Sequence, residues 1–297
     1  MISKGAQLRN LLAGEETVVA PGGFNPLSYR IIEDLGFKAT YMGGWATGAH
    51  LCTTEPLMTL TEQVTNAALA VKAINIPLIV DGDAGYGDPL HTMRAVREYE
   101  SAGIAAIHIE DQIFPKRASY HRNLLRIIPL EEMVEKIKAA VSARQDKDFV
   151  IIARTDARGA VGGSLDEAIR RVSALVEAGA DMIMPTKIRE PFVPAEQVPA
   201  EAEAIVKAAS GLPVVWVEVF SGLSVKEIAQ LGYKVIIYPM IGVAAAASGI
   251  IDAYGELKEI GVVKTEIEKL GKVKLQLEEI IGLPEYYAIE NKTTEKQ

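Results

Sequence analysis

Eight short runs of apolar, β-rich residues recur along this 297-residue chain, with helical patterns between most of them. The runs are Thr17–Ala20, Ala39–Met42, Leu78–Val80, Ala105–Ile109, Phe149–Ala153, Met182–Met184, Val214–Val219 and Val235–Tyr238. Helical spacing is clearest over Leu90–Ala102, Leu130–Ala143, Ser164–Ala178 and Glu201–Ala209. Ser164, with Glu167 three residues on, reads as a helix start, and Gly103 and Gly179 read as helix ends. Strand and helix alternating eight times predicts a parallel (β/α)8 TIM barrel. A doubly wound open sheet is the alternative built from the same elements. The length suits one barrel domain over residues 1–297. Lys264–Glu279 reads as an amphipathic helix, so the segment from about 264 to 297 is expected to pack between subunits.

A barrel places its active site at the carboxyl ends of the strands. One such end reads Leu78-Ile79-Val80-Asp81-Gly82-Asp83-Ala84-Gly85-Tyr86-Gly87. On extended chain Asp81 and Asp83 point the same way, and two like charges that close need a cation or a shared proton. The stretch is read as a divalent-metal site; a turn that merely favours Asp and Gly would use the same residues. Strand four ends in Glu110-Asp111-Gln112 and strand five in Arg154-Thr155-Asp156, so acids and an arginine from neighbouring strands should converge. A long cationic loop follows Glu110, containing Lys116, Arg117, Tyr120, His121 and Arg122. Loops of that length serve as lids or binding loops, and these cations suit an anionic substrate. His108, between Ile107 and Ile109, reads as structural, Trp216 as core, His91 as surface and Cys52 as ordinary packing.

The net charge of −8 argues against a nucleic-acid surface. Cys52 is the only cysteine, which excludes an intramolecular disulfide and suits a reducing cytoplasm. The first residues lack the apolar core of a signal peptide, and no apolar run approaches the roughly 20 residues of a membrane helix, so no membrane partner is expected.

Five motifs together resemble the isocitrate lyase / phosphoenolpyruvate mutase superfamily. They are Val80–Gly87, Ile107–Gln112, Pro115-Lys116-Arg117, Ile151–Ala157 and Ala178–Ile183, in family order and spacing. The likeness covers roughly residues 5 to 285 and leans toward the short lyases of the methylisocitrate and dimethylmalate type. It implies a (β/α)8 barrel whose last helix is exchanged between subunits, usually in a homotetramer. It implies Mg²⁺ or Mn²⁺ held by Asp81, with Asp83 and Glu110 acting directly or through waters. It implies that Gly43, Gly44 and Trp45 bind a substrate carboxylate through backbone N–H groups. Tyr41 matches a tyrosine near the reacting hydroxyl, and Arg154 an arginine that grips the substrate acid. Glu55 falls about one residue from a further family acid.

The departures bear on chemistry. Lyases of the family carry Lys-Lys/Arg-Cys-Gly-His in the strand-four loop, with the cysteine as proton donor; here the run is Lys116-Arg117-Ala118-Ser119-Tyr120-His121. Tyr120 or His121 is the better replacement acid, because a serine hydroxyl is a poor one. Thr186 stands where the lyases have a glutamate after strand six, and Val217 where they have an asparagine. The expected activity is metal-dependent cleavage of a C–C bond in a 2-hydroxy di- or tricarboxylate, a small-molecule acid. Alternatives are oxaloacetate decarboxylation, phosphonopyruvate chemistry, or acid binding without turnover.

Overall fold

The structure, a computed structural model, describes residues 2–189, 191–219, 221–264 and 267–293. Its eight strands are β1 (Val18–Gly23), β2 (Thr40–Met42), β3 (Leu78–Asp81), β4 (Ala106–Glu110), β5 (Val150–Thr155), β6 (Met182–Pro185), β7 (Val215–Val217) and β8 (Val235–Tyr238). All pair in parallel, in the order β6-β5-β4-β3-β2-β1-β8-β7. A parallel bridge between Ile183 and Val214 joins the two ends, with the Ile183 amide donating to the Pro213 carbonyl at 3.1 Å. The open-sheet alternative is thereby excluded: the sheet closes on itself. Each predicted strand is present, displaced by at most a few residues at its ends.

The helices are α1 (Lys4–Ala13), α2 (Pro26–Asp34), α3 (Gly44–His50), α4 (Leu60–Ala73), α5 (Pro89–Ser101), α6 (Leu130–Ala143), α7 (Leu165–Glu177), α8 (Val198–Ala208), α9 (Val225–Gln230), α10 (Ile241–Ile260), α11 (Ile267–Ile280) and α12 (Leu283–Thr293). Ser164 caps α7 by accepting from the Glu167 amide at 3.1 Å, as the sequence predicts. The Glu167 side chain does not return to the cap; it pairs with Arg170 and Arg171. Gly179 follows α7 at φ +93°, a conformation that glycine enters without steric cost.

Alternation along the strands sorts the apolar side chains into two cores. Ile79, Ala106, Val150, Ile152, Met182, Met184, Val235 and Ile237 fill the barrel interior, and Leu8 of α1 joins them. Val80, Ile107, Ile109, Ile151, Ile183, Trp216 and Ile236 face outward against the helices. Trp216 is therefore core, in the strand–helix layer, with its ring edge-on to Tyr233 at 4.9 Å. Continuing the inward phase beyond Ile79, Ala106 and Ile152 reaches Asp81, His108, Glu110 and Arg154. Register completes the arrangement: Asp81 lies opposite His108, and Glu110 opposite Arg154.

The chain divides into two compact units, Met1–Gly242 and Val243–Gln297. The first holds the whole barrel. The second is helical, formed by most of α10 with α11 and α12, and none of the residues described in these three helices is buried. The predicted helix over Lys264–Glu279 is found as Ile267–Ile280, with residues 265 and 266 outside the described set, as are residues 294–297 of the expected C-terminal segment. Among the described residues, no helix is long and apolar enough to cross a membrane.

Candidate active site

Asp81 is the last residue of β3, and its carboxylate is fixed from two sides. Oδ2 accepts from the Gly44 amide at 3.0 Å and Oδ1 from the Asp83 amide at 2.9 Å. Asp83 reaches the site differently from the extended geometry expected. The strand stops at Asp81, and Asp83 has φ +52°, so a left-handed turn swings its carboxylate inward. That turn is held by the Ala84 amide donating to Asp83 Oδ1 at 2.6 Å and by buried Lys136, whose Nζ donates to the Ala84 carbonyl at 3.2 Å.

His108 is fully buried, and its Nε2 lies 2.9 Å from the Tyr41 hydroxyl. The geometry corrects its reading as merely structural: on an inward-facing strand position it shares a face with Glu110. One ligand atom each from Asp81, His108 and Glu110 lies within 4.8 Å of the other two. His108 Nδ1 has no hydrogen-bond partner. Burial drives the imidazole toward its neutral form, down to about 4, against the opposing pull of Asp81.

Glu110 is completely buried between two cations, with Oε1 2.7 Å from Lys116 Nζ and Oε2 2.7 Å from Arg154 Nη1. Neither contact has hydrogen-bond geometry, so both carboxylate oxygens keep unused acceptor capacity. Burial pushes this carboxyl upward, and Arg154 and Lys116 oppose that rise. Lys116 also contacts Glu55 and lies 3.4 Å from Asp83 Oδ2. Burial works against its charge, but Glu110, Glu55 and Asp83 together hold its pKa well above the usual range.

The strand-four loop is folded down onto this cluster. Ile113 N donates to the Arg126 carbonyl at 3.0 Å, and a short 3-10 turn spans Ala118–Arg122. Tyr120 hydrogen-bonds through its hydroxyl to Glu55, and burial together with the Glu55 charge raises its pKa far above that of a free phenol. His121 packs against Tyr120 at 4.0 Å between ring centroids, with its Nε2 3.3 Å from the Thr54 hydroxyl. Glu55, one residue out of register in the sequence, is thus buried in the cluster. Cys52 is a different matter: it is exposed at φ +54°, and the packing role expected of it is not found.

On the far side Arg154 also pairs with Asp156 at 3.1 Å. Asp156 accepts from Gln112 Nε2 at 2.9 Å and from the Thr186 hydroxyl. Burial opposes its charge, but Arg154, Lys187, Thr186 and Gln112 hold Asp156 down at about 2. Asp111 supports this layer from behind, accepting from Thr155 Oγ1 at 2.6 Å and from the Asp156 amide at 3.0 Å. Above these groups a cavity of about 330 Å³ is lined by Tyr41, Gly43, Gly44, Trp45, Glu55, Asp81, Tyr120, His121, Arg154, Thr186 and Lys187. Met184, Val217, Val219 and Met240 add an apolar wall.

The family model described as phosphoenolpyruvate phosphomutase matches residues 8–258. The chain belongs to the PEP mutase/isocitrate lyase superfamily. A 2,3-dimethylmalate lyase of Eubacterium barkeri is 40% identical over 85% of this chain and 86% of its own. A 2-methylisocitrate lyase of Aeropyrum pernix is 36% identical over 95% of this chain and 88% of its own. Among solved structures, a phosphonopyruvate hydrolase complex with oxalate and Mg²⁺ superimposes with a TM-score of 0.86 at 29% identity, covering 99% of this chain and 100% of that one.

Against this superfamily background, sequence reasoning read His108 as structural, named Glu55 only as near a family acid and Asp156 only among the converging strand ends, and gave Lys187 no role. Two-residue alternation back from Glu110 would have found His108. Glu55 and Lys187 lie on loops, where no periodicity fixes direction.

Proposed function

We propose that this chain is a divalent-cation-dependent carbon–carbon lyase. It would act on a 2-hydroxy di- or tricarboxylate of the methylisocitrate or 2,3-dimethylmalate type and release a 2-oxo acid and a second acid. The observation that carries this reading is the convergence of Asp81, His108 and Glu110 beneath a pocket flanked by Arg154 and the Gly43–Trp45 backbone. The lyase names of relatives at 40% and 36% identity support it.

Asp81 and Glu110, with Asp83 beside them, are the groups that would hold Mg²⁺ or Mn²⁺. They fit that role because buried acid outweighs cation here, and because Glu110 keeps acceptor capacity on both oxygens. When bound, such an ion supplies Lewis-acid stabilisation to the oxygens of a 2-hydroxy acid. The neighbouring structure with oxalate and Mg²⁺ supports this choice of ion and ligand.

Arg154 presents two nitrogens and can grip a carboxylate in bidentate fashion. The Gly44 amide is already given to Asp81 Oδ2, so at the start of α3 it is the Trp45 amide that would favour negative charge at the same carboxylate. Tyr41, kept protonated by burial, offers its hydroxyl to the reacting oxygen. Lys116 offsets charge that builds up beside Glu110. As the C–C bond breaks, the substrate hydroxyl would give up its proton through Tyr41 to the neutral imidazole of His108 behind it. The oxygen becomes a carbonyl and the bonding pair stays on the carbon next to the second carboxylate. That carbon then needs a proton, and Tyr120 would give it by turning its O–H from Glu55 to the carbon, with His121 packed behind. The raised pKa of Tyr120 is no obstacle, because the carbanion equivalent of a carboxylate is far more basic than a phenolate. Thr186 would hold Asp156, and through it Arg154, in position for the acid.

Incubation with methylisocitrate, 2,3-dimethylmalate and isocitrate in Mg²⁺ or Mn²⁺, followed for 2-oxo acid, tests the reading. Release from at least one is expected; no product from any would remove it. Ala118 and Ser119, standing where lyases of the family have Cys-Gly, favour a second reading as an oxaloacetate decarboxylase or phosphonopyruvate-handling enzyme. Oxaloacetate loss no faster than with the metal alone, together with intact phosphonopyruvate, would exclude that alternative.

We also infer a homotetramer with an exchanged helix. Ile250, Ile251, Tyr254 and Ile260 of α10 are more than half exposed, more apolar surface than an isolated helix tolerates well. Light scattering of the purified protein would test it, and a monomer would refute it. A cytoplasmic location is inferred from the single cysteine.

A further inference from the structure

Lys187 follows β6 at φ +67°, a conformation that costs a residue with a side chain and that glycine would adopt freely. Its stem lies against Gly159, where an added methyl carbon would come within 2.6 Å of Lys187 Cγ and 3.0 Å of Phe192. Its Nζ stands 5.2 Å from the centre of the Phe192 ring. Among the described residues Nζ makes no hydrogen bond or ion pair, yet it lines the same cavity as Arg154 and Asp81. Burial lowers its pKa, and Asp156 only partly offsets this, so the ammonium is under-compensated where it stands. An adjoining wall of the cavity, Met184, Val217, Val219 and Met240, offers no side-chain donor; Arg189, which also lines the cavity, is engaged in contacts of its own.

We propose that Lys187 determines substrate choice: its ammonium receives the carboxylate remote from the reacting hydroxyl, while the apolar wall takes an alkyl branch. The substrate class is then an alkyl-branched 2-hydroxy dicarboxylate. A third carboxylate would face Val217 and Met240 and could be paired only by drawing Arg189 from the contacts it already makes, and an unpaired buried charge is costly. A monocarboxylate would leave Lys187 unused. This assignment rests on the lyase reading above and narrows it.

The test uses two probes that bind without reacting. Oxalate needs only the carboxylate cluster and Arg154, whereas 2,3-dimethylsuccinate carries both carboxylates and the branches. Calorimetry with Mn²⁺ present should find the affinity of Lys187→Met for dimethylsuccinate down by about tenfold or more, the scale of one lost charge-assisted contact. Oxalate affinity should stay within about twofold, and Lys187→Arg should recover most of the loss. Lys187→Gly, which relieves the positive φ, guards against misfolding and should behave like the Met variant. Equal weakening of both probes, or of neither, overturns the assignment. If the wild type cleaves no hydroxy acid yet Lys187→Met selectively loses dimethylsuccinate, the lyase reading falls while the role of Lys187 stands. If cleavage is found but the probes do not separate, the reverse holds.

Discussion

The Tyr41 hydroxyl lies 2.9 Å from Nε2 of His108, with the two rings stacked at 5.8 Å. Burial raises the Tyr41 pKa and lowers that of His108, so the pair rests as a protonated phenol beside a neutral imidazole. This gives a signed pH dependence. A histidine in the unfolded chain titrates near 6.5, and His108 in the folded protein near 4. Between those values the unfolded state binds the proton and the folded state does not. The stability from this group is therefore complete above about pH 6.5 and lost as pH falls toward 4, by roughly 3 kcal/mol at most. Urea midpoints at pH 7.5, 5.5 and 4.5 should fall for the wild type and fall less steeply for His108→Gln; parallel slopes would contradict the assignment.

Glu110 separates Lys116 from Arg154, and its loss leaves two buried cations facing one another across a gap. Glu110→Gln is expected to lower stability by roughly 3 kcal/mol, the usual scale for breaking a buried pair from one side. It should also abolish Mn²⁺ binding measured by calorimetry on folded protein. Retained Mn²⁺ affinity would remove Glu110 from the ligand set.

Tyr120→Phe deletes one oxygen and the hydrogen bond to Glu55. As the proton donor, Tyr120 should account for about a hundredfold or more in kcat, the typical range for a positioned acid. Oxalate affinity should change little. A kcat within a few-fold of wild type would shift the role to His121.

Much of the barrel was legible because the strand core is written in β-branched residues and the helix caps in Ser, Asp and Gly. Ile107, Ile109, Ile151 and Ile183 announce strands, and parity then orients every residue between them. Asp81, Glu110 and Arg154 were readable for that reason: they continue strands whose phase is fixed. Asp83 was placed in the site by an argument that does not apply to it, because a left-handed turn replaces the extended chain after Asp81. Glu55, Tyr120 and Lys187 sit on loops whose direction is set by tertiary contacts between residues far apart in sequence, such as Tyr120 with Glu55. His108 was readable but was outweighed by its isoleucine neighbours, which face the other layer.

Gly44 shows how closely the backbone approaches the acids. Its amide donates to Asp81 Oδ2 at 3.0 Å, and a methyl group at its α-carbon would lie 2.7 Å from Glu55 Cγ, 3.0 Å from Glu55 Cδ and 3.2 Å from Asp81 Oδ2. Gly44 opens α3 in ordinary helical conformation, so alanine suits the backbone and by itself favours the helix by up to about 1 kcal/mol. The two effects oppose each other in stability and coincide in function. Gly44→Ala should melt within a few degrees of the wild type while Glu55 and Asp81 are pushed from their positions. Affinity for Mn²⁺ and for oxalate should then both fall by about tenfold or more, since ligand placement within about half an ångström is what such a site depends on. Unchanged affinity for both would mean that the carboxylates have room to retreat, and that Gly44 is present for the turn alone.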